Sequence, residues 1–255
     1  MKKIGFAVIA TLVLAMSLTS CVRNMQRDHD GDDKIVTSQR VVRNFDKIVV
    51  STSCDVHYVQ GNAPSVRITG PERMLKRIIT ECNGNTLTIK LTKAGSLMEW
   101  YEGDDVDVYV TSPDLIDVTM NGSGDFSADG KVDSDTLNIS LYGSGDLNMS
   151  DIICDEMTTT LKGSGDIDIQ RLECGKSSVF LSGAGDIDIQ QFNVAQSNVV
   201  LRGVGDISIG FNHCGSAECE LYGVGDITLK GDVKSFKKSI MGTGDIDTNE
   251  MKVTK

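Results

Sequence analysis

The chain has 255 residues, a formal net charge of −11 at pH 7, 40% hydrophobic residues and only 5% aromatics. That length suits one large all-β unit or two small domains, and the acidity disfavours nucleic acid and anionic lipid as partners. The charge is local: residues 111–250 hold 23 acids against 9 bases, a balance of −14, whereas residues 22–110 hold 13 acids and 12 bases.

Residues 1–20 begin Met1-Lys2-Lys3, run apolar from Ile4 to Leu18 and end in Thr19-Ser20 before Cys21. A positive start, an apolar run and small residues at the exit define a cleaved export signal. The run is shorter than the ~20 residues a spanning helix needs. Leu18-Thr19-Ser20-Cys21 resembles the bacterial lipobox. The resemblance implies cleavage before Cys21, a diacylglyceryl group on its thiol, and an outer-membrane lipoprotein on the cell surface or the periplasmic face. Several acyl chains on one Cys anchor stably, since each buried methylene contributes about 0.8 kcal/mol. Residues 21–39 carry Asp28, Asp30, Asp32 and Asp33 with almost no apolar pattern, which predicts a flexible acidic tether.

Residues 40–110 read as a β-rich N-terminal part continuous with the rest of the chain. Val41-Val42, Lys47 to Val50, Asp55 to Val59 and Ser65 to Ile68 have strand character, with a turn at Gly61-Asn62-Ala63-Pro64. Pro71 opens a predicted short helix over about 71–80, where Met74, Leu75, Ile78 and Ile79 share a face. Asn83-Gly84 closes it. Strands are predicted at Asn85 to Thr92 and Asp105 to Thr111, with residues 94–105 as a loop that carries Trp100 and Tyr101.

Residues 111–255 hold an internal repeat. Gly-x-Gly-Asp occurs seven times, ending at Asp125, Asp146, Asp166, Asp186, Asp206, Asp226 and Asp245, spaced by 19 to 21 residues. Aliphatic side chains recur at fixed offsets: Leu161, Leu181 and Leu201 five before the Asp, Ile167, Ile187 and Ile207 one after, Ile169, Ile189 and Ile209 three after. Alternation within a repeat is strand periodicity, and one repeat cannot bury its apolar face alone. Stacked repeats close a continuous core, each coil rising by about 4.8 Å. The expected fold is all-β: a parallel β-solenoid of about seven ~20-residue coils with irregular N-terminal strands and one short helix. The paired glycines fit a corner that needs positive φ or a close backbone approach. Lys234, Lys237 and Lys238 near the last coil guard against edge-to-edge growth.

Several segments, taken together, resemble a known family. They are the lipobox, Arg43-Asn44-Phe45-Asp46-Lys47-Ile48, Tyr58-Val59-Gln60-Gly61, the Pro71 segment, Asn83-Gly84-Asn85-Thr86-Leu87 and the Gly-Ser-Gly-Asp coils. Over residues 40–250 the chain resembles the auto-transporter adhesin head GIN domain family. The resemblance implies a right-handed parallel β-helix and a cell-envelope location, and it carries over no catalytic or binding residues.

The Asp column is the most specific chemical feature. In register, neighbouring carboxylates stand about 5 Å apart, and each repulsion is near 1 kcal/mol in bulk water. Two offsets are open: each Asp accepts a backbone N–H in an Asx-type turn, or Asp166, Asp168, Asp186 and Asp188 gather as an oxygen-rich calcium site. No other cofactor is implied. Catalysis lacks a constellation, because His29, His57 and His213 are scattered and an active site usually breaks a regular ladder. Basic residues are scarce there; Lys162 and Arg202 share one column four residues before the Asp. Six cysteines besides Cys21 remain, and Cys154, Cys174 and Cys214 share a slot filled by Val194 in the coil between, which reads as small buried thiols. Trp100 and Tyr101 either stack on a ligand or cap the solenoid end. The reading is a non-enzymatic envelope module for binding, adhesion or scaffolding, with a glycan or an envelope or host protein as partner. A carbohydrate-active enzyme and a calcium-stabilised spacer are the alternatives.

Overall fold

The structure is a computed structural model that describes residues 34–92 and 105–254. Cys21, most of the tether, Trp100 and Tyr101 lie outside the described residues. Sixteen strands form one sheet system that closes into a β-solenoid of about seven turns. The repeat coils are β9 (Phe126–Leu141), β10 (Leu147–Leu161), β11 (Ile167–Leu181), β12 (Ile187–Phe192) with β13 (Gln196–Leu201), β14 (Ile207–Leu221), β15 (Ile227–Ile240) and β16 (Ile246–Val253).

Each coil pairs in parallel with the next, and identical repeat positions face each other. Leu147 stands opposite Ile167, Ile167 opposite Ile187, Ile187 opposite Ile207, Ile207 opposite Ile227, and Ile227 opposite Ile246. All six are at most 1% exposed, so the column predicted from the sequence is the core. Register shifts between Ile169 and Leu172 and between Phe211 and Cys214 mark where coils bend. Such a bulge adds a residue and turns the strand.

The glycine columns exist because coils meet at the corner backbone to backbone. A Cβ on Gly163 would lie 1.8 Å from the carbonyl oxygen of Gly143, and one on Gly165 would lie 1.9 Å from that of Gly145. Close approach therefore sets the motif in every coil, and positive φ matters only at Gly205, Gly225 and Gly244.

The N-terminal strands continue the stack out of chain order. β2 (Lys47–Ser51) and β3 (Asp55–Gln60) form a coil placed between two later ones. On one side lie β6 (Thr86–Leu91) and β7 (Asp107–Ser112); on the other lie β8 (Asp117–Met120) and β9. Antiparallel strands then cover that end: β1 (Ile35–Arg40) on β4 (Ser65–Pro71), β4 on β7, and β5 (Ile78–Asn83) on β6.

The N-terminal part departs from expectation in four places. The last residues assigned to the tether form β1, paired to β4 from Ile35 to Arg40. The helix is one turn, α1 (Glu72–Leu75), and Ile78-Ile79 belong to β5. Asn83-Gly84 turns a β-hairpin instead of closing a helix, with Gly84 at φ 58°. Val41-Val42 lies between β1 and β2 and is not strand.

The far end is finished by charge. Lys238 occupies the inward column filled by Val179, Val199 and Cys219 in earlier coils, and β16 pairs with β15 only as far as Val233. Its ammonium instead donates to the carbonyl of Ile246 at 3.0 Å. All six described cysteines are free, and five are buried. Cys154 and Cys174 are direct partners in register. The hydrogen bond between them raises Cys174, as burial also does, and lowers Cys154. Burial pushes Cys54 and Cys219 up to about 12.

Candidate functional site

The Gly-x-Gly-Asp corner carries the distinctive chemistry, and it has two flanks of opposite sign. The acidic flank is the Asp column. Oδ1 of Asp146 accepts the backbone N–H of Asp166 at 2.9 Å, that of Asp166 accepts Asp186 N–H at 2.8 Å, and that of Asp186 accepts Asp206 N–H at 2.7 Å. The pattern runs unbroken from Asp55, which accepts from Asp125 at 2.9 Å, to Asp226, which accepts from Asp245 at 2.8 Å. Each Asp from Asp55 to Asp226 thus binds the next coil, where one of the two readings of the sequence placed the bond within its own turn; Asp245, in the last coil, instead accepts the neighbouring Ile246 N–H at 2.8 Å. Charge-assisted bonds of this kind offset the repulsion between stacked carboxylates. Asp55 is the member the repeat could not reveal, because Thr52-Ser53-Cys54 replaces Gly-x-Gly before it.

Asp166, Asp168, Asp186 and Asp188 do line one groove, together with Asp146, Asp206, Asn148 and Ser208. One oxygen of Asp166 and one of Asp186 is already taken by a backbone N–H. Among the described residues no group of three or more His, Cys, Asp or Glu is arranged to hold a metal ion. Burial, and after it the charge of Asp188, holds the Asp168 carboxyl above the usual aspartate range.

The other flank is basic and aromatic. The column four residues before each Asp runs Asn121, Tyr142, Lys162, Ser182, Arg202, Tyr222, Met241, one residue per coil. Backbone bonds fix it: Lys162 N–H to Leu141 O at 2.8 Å, Arg202 N–H to Leu181 O at 2.7 Å, Tyr222 N–H to Leu201 O at 2.8 Å. Lys162 lies over the Tyr142 ring at 5.6 Å and Arg202 over the Tyr222 ring at 5.0 Å. Two open grooves meet along this column and share Ser182 and Arg202. One is lined by Thr160, Lys162, Phe180 and Val200, the other by Val204, Tyr222, Val224 and Met241. Neither is lined by an acid. The repeat offset places Tyr142 and Tyr222 in the Lys162 and Arg202 column; it does not show that Phe180, Val200, Val204 and Val224 flank it.

A third cluster was not legible at all. On the outer faces of β3, β7 and β9, His57 Nδ1 lies 2.9 Å from Ser127 Oγ and Nε2 lies 3.0 Å from Asp107 Oδ1. The His57 ring stacks on Tyr109 at 5.0 Å. These are the distances of a nucleophile, base and orienting acid. The strands carrying them are hydrogen-bonded in register, so their backbone N–H groups serve the ladder. His57 and Asp107 are also about two-fifths exposed, at 39% and 42%.

The architecture and its corner define a class: a repeat β-solenoid with long, open surface columns. The chain belongs to the family described as "Putative auto-transporter adhesin, head GIN domain", whose model matches residues 44–214. Among solved structures it is similar to a putative adhesin from Bacteroides fragilis, with 24% identity, a TM-score of 0.76, and coverage of 84% of this chain and 96% of that one. A putative lipid binding protein from Parabacteroides distasonis gives 22% identity and a TM-score of 0.64, covering 85% of this chain and 98% of that one. A putative adhesin from Parabacteroides merdae gives 19% and 0.61, with the same coverage. At these identities the likeness concerns the fold. Among curated proteins, none matches the chain. Among the described residues no helix is long and apolar enough to cross a membrane.

Proposed function

We propose that the protein is a non-enzymatic binding module of the bacterial cell envelope, lipid-anchored at Cys21 in the outer membrane, whose solenoid corner engages a partner. The observation that carries this reading is the pair of connected, acid-free grooves along the Tyr142-to-Met241 column. Regular columns repeated coil after coil suit an extended ligand; a catalytic site needs a few groups held in one place. The names of the structural neighbours support adhesion, and one supports lipid as a ligand class to be tested. The experiment is cell-based. Cys21→Ala is expected to abolish palmitate labelling and membrane retention, and protease shaving of intact cells is expected to remove the solenoid if it faces outward. Retention of the Cys21→Ala variant in the membrane would refute the anchor.

The Ser127–His57–Asp107 cluster favours a second reading, a surface hydrolase. A fluorophosphonate probe decides between the two. Labelling that disappears in Ser127→Ala would establish a reactive serine; the binding reading expects no labelling.

A further inference from the structure

We propose that the basic flank of the corner binds an extended acidic glycan, one with a carboxylate on every second sugar, laid along the solenoid axis. The proposal rests on the binding-module reading and names its ligand class.

Charge is the first argument. Residues 111–250 carry a balance of −14, yet the only charges lining the two joined grooves are Lys162 and Arg202. Among the described residues neither cation is in an ion pair; each lies over a tyrosine ring instead. A cation held against an aromatic face keeps its outward N–H donors available to an anion. Lys162 and Arg202 thus form a local positive pair in a strongly acidic body; the Glu220 carboxylate, in register with Val200, is engaged by the Tyr222 hydroxyl at 2.9 Å.

Spacing is the second. Lys162 and Arg202 lie two coils apart, so their Cα atoms are separated by roughly 10 Å, twice the strand spacing. A sugar in an extended chain advances by about one such step. A carboxylate on alternate sugars therefore meets alternate coils, and the uncharged sugar between them meets the Ser182 hydroxyl. Surroundings are the third. Tyr142 and Phe180 are 45% and 36% exposed, and Tyr222, Val204 and Val224 continue the same strip at 36%, 58% and 51%. Aromatic and aliphatic faces of this kind pack on the C–H faces of sugars while the hydroxyls keep water.

A single narrow chain is also the shape that fits. The Asp column stands across the glycine turn, only four residues along the chain. A broad anionic surface such as a bilayer would meet both flanks and be repelled by the acids. A thread confined to one flank avoids them.

The test uses the purified protein and hyaluronan oligosaccharides, which carry one carboxylate per disaccharide. The matched control is the same polymer with its carboxyls reduced to alcohols. Calorimetry is expected to show binding to the native polymer and at least tenfold weaker binding to the reduced one. Arg202→Gln and Lys162→Gln should each weaken binding by about two- to fivefold, on the scale of an exposed ion pair. The off-site variant Lys237→Gln should leave it unchanged. Binding should also weaken as salt rises and the screening length shrinks. Equal affinity for native and reduced polymer overturns the acidic ligand while leaving a neutral-glycan binding module in place. Competition by anionic vesicles at equal charge overturns the glycan in favour of lipid. Absence of binding to either polymer overturns the inference, and the Cys21 and protease-shaving results then decide the envelope reading on their own.

Discussion

The backbone N–H of Asp186 donates to Oδ1 of Asp166 in the preceding coil at 2.8 Å. One side chain thus performs a task usually left to the backbone ladder, and it does so at the corner where strand pairing lapses. The same bond recurs from Asp55 to Asp245. The column is therefore an inter-coil seam, and its acidity follows from the need for an acceptor.

Asp166→Ala and Asp166→Asn should separate these two properties. The alanine variant leaves the Asp186 N–H without its acceptor and is expected to lose about 1.5 kcal/mol, the lower end for a bond to a charged group, because the carboxylate is exposed. The asparagine variant keeps an acceptor oxygen and removes one charge from the stack, so it should stay within roughly 0.5 kcal/mol of the parent. Urea unfolding followed by circular dichroism measures both. An asparagine variant as unstable as the alanine one would mean that the charge, and not the acceptor, holds the seam.

The glycine columns should be far less tolerant than other glycines. Gly165→Ala places a methyl 1.9 Å from the Gly145 carbonyl oxygen, and backbone on both sides cannot yield. A loss of about 3 kcal/mol, the upper end for overpacking, is expected. At Gly130 an added Cβ meets nothing within 4 Å, and φ is ordinary, so Gly130→Ala should be nearly silent. Equal effects at the two sites would remove close approach as the reason for the motif.

The solenoid was readable because its physics is periodic. A Cβ clash repeated in each coil demands glycine in each coil, and a buried column demands an aliphatic side chain at each turn. The N-terminal end has no such repetition. Met74, Leu75, Ile78 and Ile79 have helical spacing, but the free edge of β6 offers Ile78 and Ile79 a pairing partner, and tertiary pairing overrides the local pattern. The insertion of the β2–β3 coil between later coils is equally invisible, because no local signal records stacking order. In the site, the repeat exposed the Asp and the Lys162 and Arg202 columns. It could not expose Ser127, His57 and Asp107, because His57 lies 70 residues from Ser127 and 50 from Asp107 and meets them only through strand register.

Asp168 should make stability depend on pH in the opposite sense to a salt-bridged acid. Its folded pKa is raised by burial and then by Asp188. Its favourable contribution is therefore complete below the unfolded value of about 3.9 and is lost as pH rises through the folded value. Asp168→Asn removes that loss. The variant is expected to be at least as stable as the parent at pH 7, with the advantage shrinking as pH falls towards 3. Thermal melts across pH 3 to 7 check this, and an Asn variant that is less stable at pH 7 would contradict the sign.

Thr159 offers the simplest stabilising change. It is fully buried, and among the described residues its hydroxyl has no hydrogen-bond partner. Its neighbours in register are Ile139 on one side and Val179 on the other, so the column is aliphatic everywhere around it. Valine has nearly the same shape and no polar atom to desolvate. Thr159→Val should therefore stabilise the protein by about 1 kcal/mol, a rise of roughly 2–4 °C in Tm for a chain of this size. A fall in Tm would show that the hydroxyl has a role in the core that its surroundings do not display, and Thr159→Ser would then keep the loss small while Thr159→Val would not.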